Sequence, residues 1–211
     1  MLTQPASSLT DLLLAGVAAW LALGLRRRPG LSPYWWRTFA WTAAAALAGS
    51  IHHGYVTRYD RWDGASWAIV TFLVVVAISY LLAASVEEVL GPGHAKAFWI
   101  LRSASLVAYV AVAVTVGASI GAILLCEGIT MLAVLALWWI ALRRGHPRAR
   151  AVAVAIVASM AAAAIRAAPP SFVAPTGLDP TSLYHLAQIP GLVLLALAVV
   201  GSGAARLRPG R

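Results

Sequence analysis

Seven apolar stretches, at roughly residues 9–25, 36–53, 66–86, 98–116, 120–142, 149–167 and 181–205, constrain this chain of 211 residues more than anything else in it. Each is long enough to cross a bilayer as a helix, which takes about 17 to 25 apolar residues. Apolar and polar residues do not alternate as they would in a barrel strand, so only helices can satisfy the backbone in lipid. The composition agrees. The chain is 61% hydrophobic and 11% charged, where a soluble domain carries about a quarter charged residues. The expected fold is an all-α integral membrane bundle of seven transmembrane helices, forming one domain over 1–211 without internal repeats. The weakest boundary is Gly117-Ala118-Ser119, which has to serve as a turn. The opening MLTQPASSLTD lacks the basic stretch of a signal peptide, so the first segment is expected to stay in the chain.

A net charge of +9 would suggest nucleic acid as partner of a soluble protein. Here the basic residues flank the apolar segments, where they set orientation beside anionic headgroups, and no nucleic-acid partner is expected. With the N-terminus outside, the inner ends hold Arg26, Arg27, Arg28, Arg37, Lys96, Arg143, Arg144, Arg148, Arg150, Arg206, Arg208 and Arg211. The outer ends hold only Arg58, Arg61 and Arg166. This bias predicts an outside N-terminus and a cytoplasmic C-terminus. Heavy use of Ala and Arg with one lysine, Lys96, points to a GC-rich bacterial genome and so to a bacterial cell membrane. The single cysteine, Cys126, excludes an internal disulfide. His94 and His146 fall in inner loops and are expected to be solvated; Glu87 and Glu88 close the third helix, with Arg102 a generic partner.

That topology gathers Asp11, His52, His53, Asp60, Asp63, Arg166, Asp179 and His185 near the outer face. In WTAAAALAGSIHHGYVTRYDRWD (41–63) an Ala-rich helix ends in Ser50, His52 and His53, followed by a short loop with Asp60 and Asp63. His53 shares a small, weakly polar helix face with Ser50, Gly49, Ala46 and Thr42, which suits close packing and points the ring inward. His52 lies about 100° away. In DPTSLYHLAQ (179–188), Asp179 reads as N-cap and Pro180 as the first helical residue. His185 follows in the second turn and Gln188 one turn deeper, with a bend expected at Pro190. Asp63 is either an N-cap of the third helix or a carboxylate beside the histidines. Glu127, surrounded by Ile, Leu, Cys and Met, needs a partner in the bundle interior, and Arg166 is one candidate.

Neutral imidazoles with a carboxylate and one open position suit zinc. By residue type His53, His185 and His52 are the metal candidates, and Asp63, Ser50 and Glu127 the catalytic ones. No tight local motif such as HExxH accompanies them.

Seven helices with an outside N-terminus, a Ser and His ending the second, an Asp opening the third and a His starting the seventh resemble the CREST superfamily. That group includes alkaline ceramidases and the progestin/adiponectin receptors. The segment LYHLAQIPGLVLLAL (183–197) is also similar to a small bacterial family of seven-helix proteins. The resemblance implies an intramembrane zinc hydrolase acting on lipid amides or esters in the outer half of the membrane. Two positions depart from that pattern. Where the superfamily has SxxxH, Gly49 precedes His53; where it has HxxxH, Thr181 and Ile189 flank His185. The missing third ligand would come from His52, Asp179 or Glu127.

The alternative is a non-catalytic lipid-binding or accessory membrane protein, with membrane lipids as partners in either case. A small transporter ranks below both, because helix-interior prolines are scarce and internal symmetry is lacking. A retinal protein is disfavoured, since the only lysine is in a loop.

Overall fold

The computed structural model describes residues 2–116 and 120–201. Its helices are α1 (Pro5–Arg26), α2 (Pro33–Tyr55), α3 (Asp60–Leu90), α4 (Ala95–Val116), α5 (Ile120–Arg143), α6 (Ala149–Arg166), α7 (Pro170–Val173) and α8 (Pro180–Val200). Two 3-10 turns, Val56–Arg58 and Ala174–Thr176, lie in the connections. Over the described residues every long apolar stretch is thus essentially helical, and α7 is a single extra turn between α6 and α8. The expected turn at Gly117-Ala118-Ser119 and the terminal Arg206, Arg208 and Arg211 fall outside the described residues.

Six of these helices, α1, α3, α4, α5, α6 and α8, are long and apolar enough to cross a membrane. The chain is accordingly a helical membrane protein. Helix α2 has the length, 23 residues, or about 34 Å at 1.5 Å per residue. Its Arg37, Thr38, Thr42, Ser50, His52 and His53 make it less apolar than the others.

Neighbouring helices close a ring. Helix α1 packs on α2 and α8, α2 on α3, α3 on α5, α5 on α6 and α6 on α8, while α4 lies against α3 and α5. In lipid the hydrophobic effect does not drive helix association, so close packing and polar contacts must do it. The buried stripe of α1 shows both: Ser7, Asp11, Leu14, Ala18, Ala22 and Leu25 recur at helical spacing. Gly191 of α8 sits against Ser159 of α6, whose backbone N would lie only 3.2 Å from an added Cβ. Helix α4 is the exception, since Arg102 and Ser105 are its only buried residues among those described.

Towards one end the core is aromatic. Trp35, Phe39 and Trp138 are fully buried, and the Trp138 Nε1–H donates to Ser85 Oγ at 3.0 Å. His146 is not simply solvated as expected. It stands edge-on to Trp138 at 5.4 Å, with Nε2 3.6 Å from Glu88 Oε1. The same oxygen accepts from Arg148 Nη1 at 2.8 Å. Glu88 therefore pairs with Arg148 and His146, not with Arg102.

Two helix starts carry carboxylates, each in its own way. Helix α3 begins at Asp60, earlier than expected, so Asp60 and Asp63 lie in its first turn and not in a loop. Tyr59 holds the N-cap position without a side-chain bond, and Asp63 is not the cap. Carboxylates are favourable in a first turn because the helix dipole is positive there, which is why the polar DRWDG continues the helix. At α8 the expected cap is present. Asp179 Oδ1 accepts from the Thr181 and Ser182 backbone N–H groups at 2.9 and 3.0 Å, and Ser7 and Ser182 hydroxyls donate to the same carboxylate.

Burial pushes the Asp179 carboxyl up, but these hydrogen bonds together outweigh it and hold the group below its ordinary 3.8. A depressed carboxylate stabilises the fold above its unfolded pKa, and that contribution is lost as pH falls through the folded value. Thermal stability of wild type should therefore fall more than that of Asp179→Asn once the pH drops below about 4. Parallel melting curves from pH 7 to 3 would contradict this. At neutral pH, Asp179→Ala should cost about 0.5–2 kcal/mol, as for other N-caps.

Candidate functional site

The two histidine stretches do come together, around a carboxylate from the first helix. Asp11 projects from α1 between His53 of α2 and His185 of α8, and all three are buried, at 4, 9 and 6% exposure. His185 Nε2 is 3.2 Å from Asp11 Oδ1, and His53 Nε2 is 4.0 Å from Asp11 Oδ2. The two rings have centroids 6.2 Å apart and are tilted by 49°.

The chain positions each group for a local reason. The carbonyls at the end of α2 lack helical partners, and the segment before α1 supplies them. Thr3 N donates to Gly54 O at 2.9 Å and Gln4 N to His53 O at 3.0 Å. This brings the Gln4 side chain onto the His53 ring, with Oε1 2.8 Å from Nδ1. Thr10 lies 3.2 Å from His185 Nδ1 through its hydroxyl. That hydroxyl donates to Ala6 O at 2.9 Å, so it accepts from the imidazole. Space for Asp11 comes from Gly49, where a Cβ would fall 2.6 Å from Asp11 Oδ2.

These contacts fix the chemistry. Gln4 Oε1 and the Thr10 hydroxyl oxygen both take an Nδ1–H, so both imidazoles carry their free lone pair on Nε2. Both Nε2 atoms face Asp11. Two lone pairs and a carboxylate aimed at one another repel unless a cation lies among them, either a proton or a metal ion. Outer partners on Nδ1 are also what metal-binding histidines use to hold ring orientation.

The remaining sequence candidates lie close by or elsewhere. His52 turns towards α3: its Nδ1 is 3.2 Å from Ser66 Oγ and its Nε2 3.9 Å from Asp63 Oδ1. Its ring centroid is 5.0 Å from that of His53. Asp63 is half exposed and thus partners His52 at the rim. Ser50 faces α1, where Ser8 Oγ donates to its carbonyl at 2.9 Å and meets its hydroxyl at 3.3 Å. Glu127 is buried with a partner, as expected, but the partner is Arg102 at 3.4 Å and not Arg166. It belongs to a separate polar cluster of α3, α4 and α5. The sequence places Asp11 near the outer face without giving it a role, and nothing in it points to Gln4 or Thr10. An aspartate inside LTDLLL was the available signal, since intramembrane carboxylates are costly and rarely idle.

Among the described residues, no three His, Cys, Asp or Glu side chains are gathered tightly enough to hold a metal ion as they stand. The donor set nevertheless has the composition of a zinc site, two imidazoles and one carboxylate. Ligands about 2.0–2.1 Å from a tetrahedral ion lie about 3.3 Å apart. The His185–Asp11 distance of 3.2 Å meets that spacing, and the His53–Asp11 distance of 4.0 Å is wider.

A family model described as a family of unknown function (DUF6962) matches residues 6–203, and the chain belongs to that family. No curated protein and no solved structure matches it.

Proposed function

We propose that this member of the DUF6962 family is an intramembrane hydrolase of a lipid amide or ester, with zinc held by His53, His185 and Asp11. The observation that carries the reading is the convergence of two Nε2 lone pairs on one buried carboxylate, each ring being held through Nδ1 by Gln4 or Thr10. Asp11 would supply the missing third ligand, in the space that Gly49 leaves. Zinc, when bound, supplies Lewis acidity and makes a water acidic enough to attack near neutral pH. The chain's own part is to orient the two imidazoles and balance charge with Asp11. His52 and Asp63 would pass protons between the site and the surface, since Asp63 is the more exposed of the pair.

In this reading α2 is a seventh span, the N-terminus is outside and the C-terminus cytoplasmic. Support comes from the distribution of basic residues. It also comes from α2 itself, which buries Thr38, Ser50, His52 and His53 while exposing Leu47 and Ile51. A bacterial cell membrane fits the Ala- and Arg-rich composition.

A second reading rests on the same 3.2 Å contact. That is hydrogen-bond length, so a shared proton could replace the metal and leave a lipid-binding or accessory protein without turnover. Elemental analysis and a hydrolysis assay separate the two. Wild-type protein purified without chelator should hold about one zinc per chain and cleave an N-acyl amide or ester lipid. His53→Ala and His185→Ala should each lose the metal and the turnover together. Wild type with neither metal nor turnover would favour the accessory role, and hydrolysis undiminished in His53→Ala would falsify the enzyme reading.

A further inference from the structure

We propose that Arg26 and Arg37, at the bundle end remote from the histidines, clamp the phosphate of an anionic membrane lipid. Arg26 closes α1 and Arg37 lies in the second turn of α2. Both guanidinium carbons stand 5.5 Å from the centroid of the Trp36 ring, so they are no more than 11 Å apart. Arg37 also lies 5.9 Å from the Tyr80 ring. Arg27 and Arg28 follow directly in the chain and are exposed. Among the described residues the ion-paired carboxylates, Asp11, Asp63, Glu88 and Glu127, all have their partners elsewhere.

Each guanidinium gains from the indole face. Two of them on one ring, with two more following in the chain, still repel, and among the described residues no side-chain hydrogen bond takes up the forked N–H donors of Arg26 and Arg37. A phosphate satisfies both demands, because its oxygens accept paired N–H bonds from arginine and its charge offsets theirs. The surroundings select a lipid over free phosphate. Tyr80 packs with Tyr34 at 6.1 Å and Trp41 at 6.5 Å, making an aromatic cluster of the kind found at the headgroup level. On α1, Trp20 and Leu23 are 71 and 54% exposed, two turns and one turn before Arg27 on its own face. An acyl chain can lie along that apolar face while its headgroup reaches the arginines.

The test uses the full chain in neutral detergent, with phosphatidylglycerol, phosphatidylcholine and inorganic phosphate as separate probes. Retained lipid is read by native mass spectrometry and stability by thermal melting. Phosphatidylglycerol should be retained over phosphatidylcholine and raise the melting temperature, and inorganic phosphate should not. The double change Arg26→Gln/Arg37→Gln should weaken phosphatidylglycerol retention by at least about tenfold, since each arginine near a lipid surface is worth about fivefold. Arg143→Gln/Arg144→Gln, at the end of α5, should leave it unchanged. If the first double variant does not fold, Arg37→Gln alone should give at least about a twofold loss. Equal retention of the two lipids, an equal loss in the α5 control, or equal stabilisation by inorganic phosphate would each overturn the proposal.

Discussion

On the proposed zinc reading, Asp11→Asn should empty the site of metal while leaving the bundle folded. The substitution keeps the size of the side chain but removes its charge, and it turns an N–H₂ group towards an imidazole lone pair. Loss of a ligand should exceed the roughly 10–100-fold in affinity that accompanies loss of an outer partner, with turnover falling in parallel. Gly49→Ala should reproduce the effect without deleting any donor, because its Cβ would fall 2.6 Å from Asp11 Oδ2 and the carboxylate must swing away. Gly16→Ala is the matched control in the same bundle, as nothing lies within 4 Å of its added Cβ. Zinc content, turnover and melting temperature of the three variants check this. Full metal and full turnover in Asp11→Asn would remove Asp11 from the site.

Much of the fold is legible because lipid leaves so few choices. Each long apolar run must be a helix, and Asp179–Pro180 marks where the last of them starts, whereas α2 begins at Pro33, ahead of the expected 36. The start of α3 is less legible, since Asp60, Arg61 and Asp63 look like loop residues until the dipole of the helix they begin is considered. The meeting of His53 with His185 follows from inward faces at the same end of the bundle. Their partner does not. Asp11 has no local motif, and its contacts come from α2 and α8, far along the chain. Gly49 reads in the sequence as a lost serine; in three dimensions it is the room that Asp11 occupies. His146 was hidden for a related reason. An inner-loop position says nothing of Trp138 and Glu88, which tertiary folding brings to it.

Arg102→Leu should loosen α4 from the bundle. Among the described residues that helix fully buries only Arg102 and Ser105, while its Ala97, Phe98 and Leu101 pack half-buried against the core. Arg102 is 2% exposed. Its Nη1 donates to Thr130 Oγ1 at 2.7 Å and Ser105 Oγ at 3.2 Å. Its Nη2 donates to Val75 O at 3.0 Å and, over a longer 3.4 Å, to Glu127 Oε1. One side chain thus ties α4 to both α3 and α5. Removing it leaves Glu127 as an uncompensated buried carboxylate, a change that typically costs about 3–5 kcal/mol. Glu127→Gln should cost less, because the three shorter bonds of Arg102 survive it. The double change Arg102→Leu/Glu127→Leu should recover most of the loss, since burying neither charge is often neutral relative to burying a matched pair. Denaturation in mixed micelles measures the stabilities, and amide exchange along 95–116 should rise in Arg102→Leu alone. A double variant as unstable as the single one would mean that α4 is held by packing rather than by this arginine.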